Sequence, residues 1–137
     1  RRALELREAL YRLTTAALDG SPPDEADRRR FTAELQRALA NLRPLPRGEG
    51  PWGWTFEPER GPDHGPGLEL DRVLWPIVRD AAGLLTSDEL ARVKECSGRD
   101  CTWLFVDRSR NRSRRWCDMA VCGNRAKVRR HYERTKD

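Results

Sequence analysis

The residues of this sequence best suited to chemistry are its four cysteines, which all lie in the last third of the chain. They form two pairs of identical spacing, Cys96-x4-Cys101 and Cys117-x4-Cys122, and 15 residues separate the pairs. Tetrahedral zinc takes four ligands, with zinc–sulfur bonds of about 2.3 Å, and two short loops that are each bounded by a cysteine pair supply them with little backbone strain. The spacing predicts one structural zinc ion, because four protein ligands leave no open coordination position.

Two disulfide bonds are the alternative interpretation of the same cysteines. Disulfides need an oxidising compartment, of which the sequence gives no sign, and four cysteines allow three pairings. A catalytic thiol needs a base beside it, and His131 lies well beyond Cys122 with no oxyanion arrangement in view. Since neither an acid–base pair nor an open metal position can be found, we expect a binding protein and not an enzyme.

Arginines fill the segment between the cysteine pairs. In residues 107–115, here called the arginine loop, every second residue from Arg108 to Arg114 is an arginine. An extended backbone would put them on one side about 6–7 Å apart, close to the spacing of phosphates along a nucleic-acid strand. A solvated hairpin tip is the alternative. The predicted phosphate contacts are Arg108, Arg110, Arg112, Arg114 and Arg115.

A basic helix is predicted over residues 120–134. At about 100° per residue, Val121, Val128 and Tyr132 share one face, which we expect to pack on the zinc module. Arg125 lies on the same face and is predicted to bond a backbone carbonyl near the zinc. The opposite face would be free to enter a DNA major groove. The predicted contacts on that face are Lys127, Arg130, His131 and Arg134.

Charge is distributed unevenly along the chain. Residues 1–95 carry 15 basic and 17 acidic side chains, whereas residues 96–137 carry 12 basic and 5 acidic ones. A basic segment attached to a near-neutral body indicates a module that binds polyanions. Arginine outnumbers lysine 24 to 3, which suits phosphate and guanine recognition or reflects a GC-rich genome. No apolar run approaches about 18 residues, so no membrane span is expected.

Residues 1–95 predict a mostly helical domain with a small β element. Apolar periodicity predicts helices over residues 2–18, from after Pro23 to residue 42, and over residues 70–85. Their predicted apolar stripes include Leu6, Leu10, Leu13 and Ala17, then Phe31, Leu35, Leu39 and Leu42. A capping box begins a short helix near residues 86–94, and the alternation in residues 52–57 predicts a strand. Trp52, Trp54 and Trp75 are predicted core residues, and His64 a solvated loop residue.

Within residues 96–137 the sequence predicts a hairpin. Residues 102–107 form the first strand, residues 109–113 the turn, and residues 114–117 a return strand that brings Cys117 beside Cys101. With the basic helix this gives a four-cysteine zinc module. The predicted fold class of the whole chain is therefore α+β.

The cysteine segment resembles the CGNR zinc-finger family of bacterial proteins over all of residues 96–137. The resemblance lies in the first cysteine pair, W-x-F at Trp103 and Phe105, SRNRSRRWC, and CGNRAKVRRHY. It implies that Cys96, Cys101, Cys117 and Cys122 are the zinc ligands. The preceding stretch VLWPIVRDAAGLLTSDELARVKEC resembles the ABATE domain of stress-induced transcription regulators. Proteins of this type typically begin with a strand-bearing stretch that is not found here, and we expect the natural N-terminus to be missing.

Together these observations predict a cytoplasmic, nucleoid-associated transcription regulator from a bacterium. Residues 1–95 would be a sensor of a small-molecule effector, an oligomerisation surface, or a contact for RNA polymerase or another transcription protein. Residues 96–137 would be the zinc module that docks on duplex DNA. Two other classes stay open: an RNA-binding zinc module, and an adaptor that docks an acidic partner of the transcription machinery.

Overall fold

Two units make up the chain in the computed structural model, which describes residues 1–57 and 72–135. The first unit is Arg1–Thr86 and the second is Ser87–Asp137. The structure is 55% helical and contains two separate antiparallel strand pairs, which confirms the predicted α+β class. The division between the units places residues 87–95, assigned above to the N-terminal domain, with the cysteines.

The first helix begins and ends within one residue of its prediction. The second ends two residues early, because Leu42, predicted to belong to its apolar stripe, lies in a strand. Helix α1 spans Arg2–Asp19, and Gly20 ends it in a left-handed conformation, φ 69°, which glycine adopts without steric cost. Helix α2 spans Glu25–Ala40. The Asp24 carboxylate begins α2 by accepting two backbone N–H groups of its first turn, at 2.9 and 3.0 Å.

The interface between α1 and α2 is ionic where the apolar stripes predicted a hydrophobic contact. Leu6 and Leu13 are buried as predicted, but Leu39 of α2 is 49% exposed. The buried positions of α2 are Asp27, Glu34 and Ala38. The predicted stripe of α2 is therefore wrong at Leu39, because carboxylates occupy part of the buried face.

Arginines of α1 neutralise those buried carboxylates. Arg12 donates to both carboxylate oxygens of Asp27, at 2.6 and 2.8 Å. Arg2 donates in the same way to Glu34, which also accepts from Arg37 at 3.0 Å. The planar guanidinium matches a carboxylate in this two-bond geometry, and buried charges persist only with such partners.

A small antiparallel sheet follows α2. Strand β1 (Leu42–Leu45) pairs with β2 (Gly53–Phe56), with Leu42 opposite Phe56 and Pro44 opposite Trp54. The predicted strand at residues 52–57 is confirmed, whereas β1 was not predicted because its proline argues against a strand. An outer strand tolerates proline, since the missing N–H need not bond a neighbour.

Helix α3 (Leu74–Leu85) completes the described part of the first unit. Trp75 and Val78 are buried, and the Trp75 ring lies 5.9 Å from that of Phe56. The core prediction holds for Trp75 but is wrong for the tryptophans of the hairpin, because Trp52 is 67% and Trp54 54% exposed. The predicted helix start at residue 70 and the His64 loop lie outside the described residues.

The second unit contains short elements only. A 3₁₀ turn (Asp88–Arg92) stands where a short helix was predicted, followed by β3 (Val93–Glu95) and β4 (Leu104–Val106). A π-helical turn (Met119–Gly123) leads into α4 (Asn124–Arg134). Within the described residues, no helix has the length and apolar character needed to cross a bilayer.

The pairing of the predicted hairpin is wrong. Strand β4 pairs antiparallel with β3, with Val93 opposite Val106 and Glu95 opposite Leu104. Residues 114–117 form no strand, and the carbonyl of Arg115 instead accepts the N–H of Ser97, in the first cysteine loop, at 2.9 Å.

The ion pair between α1 and α2 predicts a stability effect. We expect Asp27→Ala to lower the free energy of unfolding of the first unit by about 2 kcal/mol, since hydrogen bonds to charged groups contribute about 1.5–3 kcal/mol. Urea unfolding followed by far-UV circular dichroism measures the change. The control is Glu25→Ala, whose ion pairs with Arg28 and Arg29 are solvent-exposed and contribute little. Equal losses in the two variants would contradict the role assigned to burial.

Candidate metal centre and its basic surround

The four cysteine sulfurs converge on one point. All four Sγ atoms lie within 4.8 Å of one another, and Cys117 Sγ is 3.7 Å from the sulfurs of both Cys101 and Cys122. A tetrahedral ion with bonds of about 2.3 Å holds its sulfurs about 3.8 Å apart. None of the four cysteines forms a disulfide. The arrangement is a single four-sulfur cluster suited to a metal ion, not two bonded pairs.

Backbone hydrogen bonds hold the first cysteine loop against the second. Cys96 directly follows β3, and its N–H donates to the Trp103 carbonyl at 2.9 Å. The N–H of Cys117 donates to Cys96 Sγ at 3.3 Å. Cys117 therefore returns beside Cys101, as the sequence predicts, although loop contacts bring it there and not strand pairing.

Gly98 packs directly on the sulfur cluster. A Cβ atom at this position would lie 3.1 Å from Cys101 Cβ and 3.4 and 3.5 Å from the sulfurs of Cys122 and Cys96. The first loop therefore closes over the cluster with no room for a side chain. This close backbone cover is what a small closed site with four thiolate ligands requires.

Cys122 is positioned by the π-helical turn that begins the last helix. The Asp118 carboxylate caps this turn by accepting the N–H of Val121 at 2.9 Å. The Met119 side chain covers Gly123, with its sulfur 2.6 Å from where a Cβ at that position would lie. The predicted helix start near residue 120 is confirmed, with a wider turn that aims Cys122 at the other sulfurs.

Burial and hydrogen bonding act in opposite directions on the Cys96 thiol. Burial raises its pKa, but the backbone hydrogen bonds from Cys117 and Gly98 outweigh burial and lower the pKa to about 7. At Cys117, burial and then hydrogen bonding among the neighbouring thiols raise the pKa to about 12. Burial and hydrogen bonding among the thiols thus disfavour the thiolate form at Cys117 more than at Cys96, and a bound divalent cation would favour it at both.

The second unit has little hydrophobic core apart from this cluster. Among its described residues, the buried apolar side chains are Val93, Cys96 and Cys122. Fully burying one aliphatic side chain contributes about 1.5–3 kcal/mol, which is far less than the conformational entropy of ordering several tens of residues. The cysteine cluster must therefore supply most of the cohesion of this unit.

A buried carboxylate organises the arginine loop. Asp107 is fully buried, and its Oδ2 accepts the Lys94 ammonium at 2.7 Å and the Arg114 N–H at 3.0 Å. Its Oδ1 accepts the Ser109 hydroxyl at 2.6 Å and the Ser109 N–H at 3.0 Å. The Lys94 ammonium, followed by the Ser109 hydroxyl, holds the pKa of Asp107 well below its ordinary value.

These bonds curl the loop, so the predicted extended backbone is wrong. The Arg112 N–H donates to the Ser109 carbonyl at 3.3 Å, which confirms the predicted turn. Arg112 itself has a left-handed conformation, φ 49°, and Lys94 also donates to its carbonyl. The arginines therefore do not form a row at strand spacing along one side.

The loop arginines have different surroundings. Arg108 forms an exposed ion pair with Glu89 at 3.2 Å. Arg114 lies over the Phe105 ring, 4.7 Å from its centroid, and donates to the carbonyls of Trp116 and Cys117. Its guanidinium is thus already bonded to these two backbone carbonyls and is not free to bind a ligand. The remaining predicted loop contacts, Arg110, Arg112 and Arg115, are exposed.

Helix α4 leaves the module after its first turn. Ala126 is half-buried, and every residue from Lys127 to Thr135 is exposed. The predicted inward packing is wrong, because Val121, Val128 and Tyr132 are 47%, 54% and 64% exposed. Arg125 is also exposed, and among the described residues it does not make the predicted bond to a backbone carbonyl. The predicted DNA-facing residues are all accessible: Lys127, Arg130, His131 and Arg134.

Sequence reasoning missed Asp107 and Lys94, which hold the loop together. An aspartate at the end of a strand, two residues before a serine, is typical of a turn in which the side chain bonds the backbone. That signal was available in D-R-S. The Lys94 partner was not predictable, because it depends on the pairing of β3 with β4.

The Asp107 contacts predict that the arginine loop loses its order in Asp107→Asn. An amide cannot accept all four bonds, and its NH₂ group would face the Lys94 ammonium. Hydrogen exchange at the Ser109 and Arg114 amides should accelerate by at least about tenfold. Asp100→Asn, in the exposed part of the cysteine loop, is the control. Unchanged exchange at both amides of Asp107→Asn would contradict the assigned role.

The same contacts predict how loop order depends on pH. Because the pKa of Asp107 is lower in the folded than in the unfolded chain, its stabilisation is fully present above the unfolded value of about 3.9. It is lost only as the pH falls through the folded value. Exchange protection at Arg114, corrected for the intrinsic pH dependence of exchange, should therefore stay constant from neutral pH to about pH 4. Metal content is measured at each pH, because acid also protonates cysteine thiolates and releases a bound metal ion. A loss of protection beginning near pH 6 with the metal retained would contradict this prediction.

Comparison with known families agrees with this geometry. Residues 92–135 match the CGNR zinc finger, and residues 1–88 match ABATE, described as "putative stress-induced transcription regulator". No curated protein matches the chain. The two matches confirm the resemblance and its domain order, and both families are regulator or zinc-finger types. The ABATE match covers more than half of the sequence, and the chain therefore belongs to the ABATE family, with a CGNR zinc finger following the ABATE domain.

Proposed function

We propose that the protein is a zinc-dependent, DNA-binding transcription regulator of the bacterial cytoplasm, acting by binding and not by catalysis. Cys96, Cys101, Cys117 and Cys122 would hold one structural zinc ion. When bound, the ion supplies the positive charge that four thiolates need and a cross-link between the two cysteine loops. The ABATE domain, matched over residues 1–88, would serve as the regulatory part, and the zinc finger, matched over residues 92–135, as the DNA-docking module.

The single observation that carries the DNA proposal is the placement of basic side chains on the metal module. Lys127, Arg130 and Arg134 are exposed on one face of α4, which follows the last cysteine, and the arginine loop lies in the sequence between the two cysteine pairs. Basic side chains that release counterions from phosphates supply most non-specific affinity. A helix face of this kind supplies base contacts in a major groove.

The loop arginines divide into two roles in this proposal. Arg110, Arg112 and Arg115 would contact phosphates, because they are exposed. Arg114 would act indirectly, because its guanidinium already bonds the Trp116 and Cys117 carbonyls. Arg108 would have to leave Glu89 before it could reach a phosphate, although their ion pair is exposed and costs little to break.

The zinc proposal predicts that Cys117→Ser unfolds the second unit. Its sulfur contacts two other cysteine sulfurs at 3.7 Å, and in a module with so small a core the metal-binding free energy is folding free energy. We expect one zinc per chain in the unsubstituted protein and loss of protease resistance after residue 86 in the variant. Ser97→Ala, beside a ligand but exposed, is the control. A Cys117→Ser protein that stays protease-resistant would refute the proposal.

The DNA proposal predicts salt-dependent binding through α4. Fluorescence anisotropy of the zinc-loaded protein should show tighter binding to duplexes from its own upstream region than to scrambled duplexes. Arg130→Ala should weaken binding by about 1–3 kcal/mol if the side chain reads a base, or reduce the salt slope by about one if it contacts a phosphate. Arg7→Ala, an exposed position on α1, makes the same change in net charge.

Three outcomes separate the functional classes. An effect of Arg130→Ala that Arg7→Ala does not share would support the DNA-docking helix. Tighter binding to structured RNA than to any duplex would move the function to an RNA-binding module. Equal binding to both duplexes that vanishes towards physiological salt would leave only electrostatic attraction and refute sequence-specific docking.

A further inference from the structure

Helix α4 has a second exposed face, which the DNA proposal does not use. Val121, Val128 and Tyr132 lie along a groove of about 740 Å³ that runs the length of the helix. All three side chains are about half exposed or more. Within α4, Val128 and Tyr132 lie on the side opposite Lys127, Arg130 and Arg134, because an α-helix has 3.6 residues per turn. Val121 belongs to the preceding π-helical turn and lines the same groove. Apolar side chains that lie side by side between charged ones offer a partner area to bury on binding.

The border of this groove is positively charged. Arg99, Arg125 and Arg129 line it together with one acidic residue, Glu133. The Arg129–Glu133 pair is long, at 3.9 Å, and exposed, so it neutralises little of the field. The groove thus presents apolar anchor positions between arginines and has a net positive charge.

Charge decides which kind of occupant fits. A second copy of this helix would bring its own arginines against Arg125 and Arg129, with only one glutamate per copy to compensate. Nucleic acid satisfies the arginines but leaves the half-exposed valine and tyrosine side chains in water. An acidic amphipathic helix satisfies both, because its apolar residues cover the stripe and its carboxylates meet the arginines.

We propose that this groove docks an acidic amphipathic segment of a protein partner, with apolar residues at helical spacing against Val121, Val128 and Tyr132. The groove extends over about three helical turns, so the partner segment would supply anchors at positions i, i+3 or i+4, and i+7. The regulator would then hold DNA with one face of α4 and the partner with the other. This inference requires a folded metal module but not DNA binding.

The test uses the zinc-loaded full chain and a defined probe. The probe is a fluorescein-labelled peptide of about 16 residues, made of leucine, alanine and glutamate with the leucines at i, i+3, i+4 and i+7. Two matched peptides accompany it: one with the same composition scrambled, and one with lysine in place of glutamate. Anisotropy should show saturable binding of the acidic amphipathic peptide and at least about tenfold weaker binding of both controls.

Variants assign the site. The double variant Val128→Ser with Tyr132→Ser should weaken peptide binding by at least about tenfold, and Arg129→Glu should do the same through charge. Arg130→Ala, on the opposite face, should leave peptide affinity unchanged. Zinc content and circular dichroism identify any variant that fails to fold, and the exposure of all four side chains makes folding of each variant the expected result.

Several results would overturn the proposal. Absence of saturable binding up to millimolar peptide would do so, as would undiminished binding to the double variant or equal binding of the scrambled peptide. If the neutral double variant loses duplex affinity in parallel with peptide affinity, the groove belongs to the nucleic-acid surface. If sedimentation shows a dimer that the double variant abolishes, the occupant is a second copy. Failure of duplex binding with retained peptide binding would refute only the DNA proposal.

Discussion

Four sulfur atoms hold the second unit together, because almost nothing else in it is both apolar and buried. Val93 is the one aliphatic side chain that joins Cys96 and Cys122 in its described core. The cysteine loops, the short β3–β4 pair and the π-helical turn are each too small to persist alone. Their backbones are connected at the sulfurs, where loop hydrogen bonds and the close approach of Gly98 converge. With the proposed zinc ion bound, metal binding and folding would therefore be one equilibrium.

In both units, ion pairs and hydrogen bonds to buried carboxylates stabilise contacts that apolar packing stabilises in most domains. In the first unit, Arg12 and Arg2 bind the buried carboxylates of α2. In the second, Lys94 and the backbone of the arginine loop bind Asp107. A chain with 36% charged residues has too few apolar side chains to fill its interfaces. Instead, its buried carboxylates accept hydrogen bonds from arginine, lysine and backbone donors. Each set of donors fixes one geometry, because a buried carboxylate that lacks a donor destabilises the fold.

Features that depend on residues close in sequence were predicted correctly, whereas pairings between residues distant in sequence were not. The cysteine clustering, the helices of the first unit and the strand at residues 52–57 follow from local spacing and periodicity. The partner of β4 did not, because the choice between β3 and residues 114–117 depends on backbone bonds that no periodicity records. The shape of the arginine loop depends on a similar contact: alternating arginines predict an extended strand, but Asp107 bonds across the loop and curls it. The stripe of Val121, Val128 and Tyr132 was found correctly and misassigned to the core, since periodicity identifies a face but not what covers it.

The isolation of α4 has a thermodynamic consequence. It is 11 residues long and has no packing support beyond Ala126, and helices this short are only marginally stable in water. In the proposed complexes, a ligand seated on either face would therefore supply the free energy of ordering the helix. The second ligand would bind a helix that the first ligand has already ordered. Binding on one face would then strengthen binding on the other, even though the two ligands never touch. Such coupling would be adjustable by helix propensity at positions that contact neither ligand, and its reciprocity would make the partner's affinity a measure of DNA occupancy.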